Sequence, residues 1–223
     1  MKRGRNRQFK GQERGETLRD WVAVLGGASV YDETQILAAY QIGQALARKG
    51  KNVLTGATTG IPYAAAIGAR EAGALVVGIS PAGSPSEHIQ AFRKPLDYHD
   101  LIVYSGVGFE ARGPLIVRSA AACIFIGGEF GTLNEFTAAW MVGHKVLGVL
   151  NGSGGITDAL PSLMAKTKST WGSVVVYDKN PTSLVAKVCK EIEAIVPEVP
   201  TGNVGRDVRA IVARFRRKQS AKS

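Results

Sequence analysis

A chain of 223 residues, 45% hydrophobic and 21% charged, has the composition of one globular domain and is too short for two comfortable α/β domains. No apolar run approaches the roughly eighteen residues that cross a bilayer, and the basic N-terminus lacks the apolar stretch of a secretory signal, so a cytoplasmic protein with no membrane partner is expected. The formal net charge of +10 lies entirely in the ends: residues 1–20 carry net +4, residues 201–223 net +6, and the stretch between them is neutral.

In chain order, residues 1–20 are polar and charged and read as a basic disordered tail. Order is expected from Trp21, where a short apolar run is closed by Gly26 and Gly27. Residues 34–49 place Ile36, Leu37, Tyr40, Ile42 and Leu46 near one face and stop at Gly50, the pattern of a helix. A strand at 52–55 precedes an alanine-rich helix at 62–72 with Pro62 in its first turn. A strand at 74–79 follows, then an irregular stretch, 80–100, whose His88, Arg93, Lys94 and Tyr98 could close over a site. Next come a strand at 101–104, a short helix at 113–120 opened by Pro114, a buried strand at 122–126 and a helix at 131–142. The pattern ends with a strand at 145–150, a helix after Gly155, a strand at 173–177 and a helix at 181–195. Residues 197–223 form a basic C-terminal tail, either a solvated extension or an arm for nucleic acid.

Short apolar strands alternating with helices require crossovers that lay helices on a sheet. The expected fold is therefore α/β, a Rossmann-like, doubly wound, mostly parallel sheet with helices on both faces, spanning residues 21–196 as one nucleotide-binding domain. Cys123 and Cys189 have no CxxC neighbour and read as buried or half-buried thiols. His88, His99 and His144 show no ligand spacing, so no metal is expected.

Ligands of such sheets bind beyond the carboxyl ends of the strands, where helix N-termini favour anions. Three glycine-rich turns follow strands here: Gly26 to Ser29, Thr55 to Gly60, and Gly127 to Thr132. They nominate Gly26, Gly27, Ser29, Thr55, Gly56, Thr58, Thr59, Gly127, Gly128, Gly131 and Thr132, with Arg118, as phosphate-binding residues. The chain has no GxxxxGK[ST], its first turn is not GxGxxG, and no acidic residue ends the second strand. Those absences disfavour a P-loop NTPase and NAD, and leave a ligand of mononucleotide size. Glu135 lies four residues after Gly131, on the same helix face as the third turn, and Arg112 can grip a phosphate or ribose bidentately. A carboxylate so placed can stabilise the oxocarbenium-like state of glycosidic cleavage or activate a water.

The run from Phe109 to Glu135, with an arginine at a helix start, a strand and GGxxGTxxE, resembles the LOG-type (LONELY GUY, "lysine decarboxylase-like") Rossmann superfamily. Val24 to Ser29, Leu54 to Ile61 and Gly68 to Gly73 fit the same pattern. The resemblance implies a homodimer that cleaves the N-glycosidic bond of a nucleoside 5′-monophosphate. It places Arg112 at the catalytic arginine, Glu135 at the glutamate closing the motif, and Gly128, Gly131 and Thr132 in the phosphate turn. Where the hydrolases have PGGxGT this chain has Gly127 and Glu129, and Gly113 replaces a lysine. Those departures are closer to the superfamily's molybdenum-cofactor-carrier-like branch, which holds a pterin nucleotide-like phosphate without turnover. Three readings follow: a phosphoribohydrolase using Arg112 and Glu135; a non-catalytic carrier or sensor of a nucleotide or molybdopterin-type ligand; and a nucleic-acid-associated protein acting through its tails. No cofactor is required beyond such a bound ligand.

Overall fold

The computed structural model describes residues 18–29, 31–143, 145–167, 173–195 and 206–220; the expected disorder at 1–17, and His144, lie outside them. A 3-10 turn, Leu18–Asp20, leads into β1 (Trp21–Gly26), and α1 (Glu33–Arg48), β2 (Asn52–Thr55), α2 (Ile61–Glu71) and β3 (Val76–Ser80) follow. The chain continues through α3 (Pro85–Gln90), β4 (Leu101–Tyr104), α4 (Gly108–Arg118), β5 (Ala122–Ile126), α5 (Phe130–Val142) and β6 (Val146–Leu150). It then forms α6 (Gly155–Thr167), β7 (Val174–Asp178), α7 (Pro181–Ile195) and α8 (Arg206–Ser220).

All neighbouring strands pair in parallel, in the order β4-β3-β2-β1-β5-β6-β7. Alternate residues of β1 feed two separate cores, as the two-residue period of a strand requires. Val22 and Val24 pack with Ile42 and Leu46 of α1, Ala65 of α2 and Leu184 of α7. Ala23 and Leu25 face the opposite layer, with Ile116 of α4, Phe136 of α5 and Leu160 of α6. Helices therefore cover both faces, and the expected doubly wound α/β fold is the one observed. The chain leaves β1 toward β2 and later returns to β1 on its other side as β5, so the topological switch lies between β1 and β5.

The alanine-rich α2 is buried against α1. Ala64, Ala65, Ala66 and Ala69 are nearly or fully inaccessible, and a Cβ on Gly43 would lie 2.1 Å from the Ala65 carbonyl oxygen. Small side chains here let two backbones approach closely over the sheet.

Two expectations need correction. The helix expected at 113–120 begins at Gly108, with Pro114 inside it. Proline marks a first turn only when its missing N–H falls there, and the preceding turn of α4 supplies the start instead. The stretch 80–100 is not wholly irregular: Ser84 accepts from the Glu87 N–H and Pro85 occupies the first turn of α3. The sheet and α1–α7 lie in one compact unit, residues 16–197, and α8 belongs to a second. Within α8, Ile211 and Phe215 are exposed beside the exposed Arg214 and Arg217. No helix among the described residues is long and apolar enough to cross a membrane.

Candidate functional site

The turns after β1, β2 and β5 meet around a cleft of about 210 Å³ at the switch point. Gly26, Gly27, Ser29, Gly56, Thr58, Gly131 and Thr132 line it, as the glycine pattern leads one to expect, and Arg112 and Glu135 enter it from α4 and α5. The cleft is thus assembled by three βα turns with Pro62 of α2, Arg112 of α4 and Glu135 of α5.

The remaining nominated residues are placed elsewhere. Thr55 is buried, with its hydroxyl accepting from the Ala57 N–H at 3.1 Å and meeting His99 Nε2 at 3.0 Å. Thr59 donates to the Ala28 carbonyl at 2.9 Å. Gly127 donates its N–H to the Ser153 hydroxyl, and Gly128 accepts from the Ile156 N–H, so these two dock the third turn onto the start of α6. Arg118 is exposed at the last turn of α4, outside the cleft lining. Ala28 and Pro62 line the cleft without having been nominated, and the exposed Glu129 lies in the lining as its place in the third turn implied.

Arg112 is held at one point. Its Nη1 donates to the Gly56 carbonyl at 2.8 Å, its guanidinium carbon lies 5.4 Å from the centre of the Phe109 ring, and its Nε is buried with no hydrogen-bond partner. Among the described residues it makes no ion pair within 4 Å. Burial lowers its pKa, against the attraction of Glu135. Burial pushes the Glu135 carboxyl up to about 7, with Arg112 pulling the other way. The Glu135 side chain sits over Gly113 of α4, where a Cβ would meet its Cγ at 3.2 Å.

The helices that supply cleft residues, α2, α4 and α5, have no side-chain cap. By contrast α1 is capped by Asp32, α3 by Ser84, and Asn180 accepts from the Ser183 N–H at the start of α7. First-turn N–H groups without a cap want an acceptor, and at α5 they border the cleft, whereas at α2 the Ile61 N–H already donates to the Gly27 carbonyl at 2.9 Å and Pro62 has none.

A larger cavity of about 510 Å³ lies beyond, between the start of α1 and the turns after β6 and β7. Gln35, hydrogen-bonded to the Ser153 carbonyl, lines it. Its helix starts are already served by carboxylates: Asp32 accepts from Gln35 N–H, and Asp158 from Gly152 and Gly154 N–H. Size favours this second cavity, but chemistry suits the first to an anion. No cluster of three or more His, Cys, Asp or Glu side chains able to hold a metal ion occurs among the described residues.

Comparison with known proteins agrees with the fold. Residues 19–185 match the model of the SLOG cluster4 family. An uncharacterised protein of Archaeoglobus fulgidus is 34% identical over 122 residues, 54% of this chain and 74% of its own. The structure of the molybdenum cofactor binding protein from Rippkaea orientalis is 25% identical with a TM-score of 0.62, over 78% of this chain and 96% of that one. The molybdenum cofactor carrier protein from Chlamydomonas reinhardtii is 26% identical, also with a TM-score of 0.62, over 78% and 98%.

Proposed function

The chain belongs to the SLOG cluster4 family, within a Rossmannoid superfamily that binds nucleotides and molybdopterin, and from that premise we propose that its cleft captures the phosphate of a nucleotide- or pterin-type ligand and holds it without turnover. The observation that carries this reading is the buried, unpartnered Nε of Arg112. A buried donor without an acceptor costs about 1–3 kcal/mol. A phosphate oxygen in the cleft relieves that cost and at the same time meets the uncapped start of α5. Gly26, Gly27, Ser29, Gly56, Thr58, Gly131 and Thr132 then form the cradle, with Arg112 as its cation.

Holding rather than hydrolysing is supported by the likeness to proteins named for binding or carrying molybdenum cofactor. It is supported also by the third turn's departure from the hydrolase motif, with Gly127 and Glu129 where the hydrolases have proline and glycine. A molybdopterin-type ligand is the cargo this reading favours, its phosphate held by the cradle. A homodimer is the form of this reading that the resemblance implies.

One observation favours the hydrolase as a second reading. A Glu135 carboxyl titrating near 7 can either give or accept a proton at neutral pH, which is what departure of a nucleobase and attack by water require. The test is to incubate purified protein with nucleoside 5′-monophosphates, measure binding by calorimetry and follow released base by chromatography, beside a Glu135→Ala control. Binding with no base released supports the carrier. Base released by the natural protein and not by the control overturns it in favour of the hydrolase. The nucleic-acid reading rests on the tails alone, and DNA or RNA binding unchanged by removal of both residues 1–20 and residues 201–223 would count against it.

A further inference from the structure

We propose that Lys94 is a second phosphate-binding cation of this cleft, carried there by a fixed strap, and that the pair Arg112 and Lys94 selects a ligand whose phosphate bears two negative charges. The proposal rests on the phosphate-binding reading above and adds a residue and a ligand class to it: a phosphomonoester dianion in preference to a singly charged phosphodiester.

The strap is the chain between α3 and β4, residues 91–100. It is tied down on both sides of Lys94. On the near side the Lys94 N–H donates to the His88 carbonyl at 3.1 Å, and His88 Nε2 lies 3.1 Å from the Pro95 carbonyl. His88 itself is buried, with Nδ1 2.8 Å from the Ser80 hydroxyl at the end of β3. On the far side Tyr63 of α2 donates to Asp97 at 2.8 Å, His99 bridges the Asp97 carbonyl and the Thr55 hydroxyl, and Asp100 accepts from the Val76 N–H. Arg93 and Tyr98 take up left-handed backbone, φ 52° and 57°, which residues with side chains adopt only where surroundings hold them.

What this anchoring delivers is an ammonium group. Lys94 Nζ donates to the Thr59 hydroxyl at 3.2 Å, and that hydroxyl donates in turn to Ala28 of the cleft wall. The ammonium thus sits against Thr59, which follows the lining residue Thr58 and bonds the lining residue Ala28, while Lys94 and Thr59 themselves stand outside the lining. Other half-buried or buried lysines have acceptors of opposite charge or a carbonyl: Lys51 pairs with Glu193 at 3.1 Å, and Lys145 donates to the Ala120 carbonyl. Lys94 has only a neutral hydroxyl, and no carboxylate lies within 4 Å of it among the described residues. Its charged neighbour is another cation: burial first and then Arg112 lower its pKa. Two cations brought together without a counter-ion are a cost to the fold that an anion bridging them removes. Glu135 fills that role only in part, because its carboxyl, titrating near 7, is about half protonated at neutral pH, and the charge acting on it is that of Arg112.

The experiment uses the full-length protein, with adenosine 5′-monophosphate as the dianionic probe and adenosine 3′,5′-cyclic monophosphate as the singly charged one, both followed by calorimetry. For Lys94→Gln the affinity for adenosine 5′-monophosphate should fall about ten- to a hundred-fold, the scale of a charge-assisted hydrogen bond. Affinity for the cyclic probe should change several-fold less, and Lys94→Arg should restore most of the loss. Free Lys94→Gln should melt no lower than the natural protein, since it sheds the repulsion with Arg112, and Lys94→Arg should melt close to the natural protein. Equal affinity of Lys94→Gln and the natural protein for adenosine 5′-monophosphate overturns the assignment. So does an equal loss for both probes, or a failure of Lys94→Arg to restore binding, because either assigns Lys94 to shaping the strap rather than to the charge. If the natural protein itself binds neither probe, it is the phosphate-binding reading that falls, and the Lys94 assignment with it.

Discussion

The guanidinium of Arg112 lies directly against the backbone of Gly56: its Nη1 donates to the Gly56 carbonyl at 2.8 Å, and a Cβ on Gly56 would stand 2.8 Å from its central carbon. The glycine of the second turn therefore serves the arginine of α4, and the two define one wall of the cleft. Substituting Gly56→Ala should move the flexible end of Arg112 while leaving the fold nearly intact, because the atoms that must give way belong to a side chain. Affinity for adenosine 5′-monophosphate should fall about ten-fold or more, with the melting temperature within a few degrees of the natural protein. A full loss of thermal stability, or unchanged affinity, would contradict this role.

The opposite balance is expected at Gly43. A Cβ there would lie 2.1 Å from the Ala65 carbonyl and 2.8 Å from the Ala69 nitrogen, both backbone atoms of α2. Neither can yield unless α1 and α2 separate over the sheet. Gly43→Ala should cost about 2 kcal/mol or more of stability, an overpacking effect, with little change in ligand affinity per folded molecule. Urea unfolding of the purified variant measures it, and a midpoint equal to that of the natural protein would refute the close packing.

These two glycines show what the sequence makes legible and what it conceals. The alternation of short apolar strands with helices is local, so the doubly wound class and both helix-covered faces follow from it. The three glycine turns were visible for the same reason, since tight βα turns are written in consecutive residues. Purpose within a turn is not local. Gly127 approaches Gln35 Nε2, and Gly128 approaches Thr132 Oγ1, and in sequence they look like glycines that approach a ligand. Thr55 points its hydroxyl at His99, forty-four residues away, and Lys94 reaches Thr59 across thirty-five. Such pairs depend on the register of β2 beside β3 and of β3 beside β4, which no spacing reveals. The error at Pro114 had another cause: a proline tolerated inside α4 carries the same local mark as one that opens a helix.

The proposed homodimer has a physical test at the exposed apolar side chains of α4 and α5. Phe130 is 85% exposed and Met141 70%, and Phe109 and Leu115 are exposed on α4. If these side chains meet a second copy, Phe130→Glu combined with Met141→Glu should convert the dimer to a monomer at micromolar concentration in sedimentation analysis, with the fold retained by circular dichroism. A natural protein that sediments as a monomer, or a double variant that still sediments as a dimer, would remove this face from the interface.

Glu135 gives the last expectation, a pH dependence whose sign is fixed by the direction of its shift. The groups bearing on its charge are Arg112 from α4, which favours the ionised form, and the burial that opposes it and prevails. Its carboxyl is raised from an ordinary value near 4.5 to about 7 in the folded chain, so between those values the folded state binds more protons than the unfolded one. Stability of the free protein should therefore fall as pH rises from about 4.5 through 7, by at most about 3 kcal/mol. A bound phosphate makes ionisation of Glu135 harder still, so affinity for a phosphate ligand should also weaken as pH rises past 7. The second ionisation of the phosphate itself acts in the opposite sense near pH 6–7, and comparison with Glu135→Gln separates the two. The ratio of affinities, natural protein over Glu135→Gln, should decrease between pH 6 and 8.5, because only the natural protein gains a negative charge in the cleft. A ratio that stays flat across that range would place the Glu135 proton outside the binding equilibrium. A ratio that rises would show the ionised carboxylate assisting the ligand, as a catalytic base would, and would return the balance to the hydrolase.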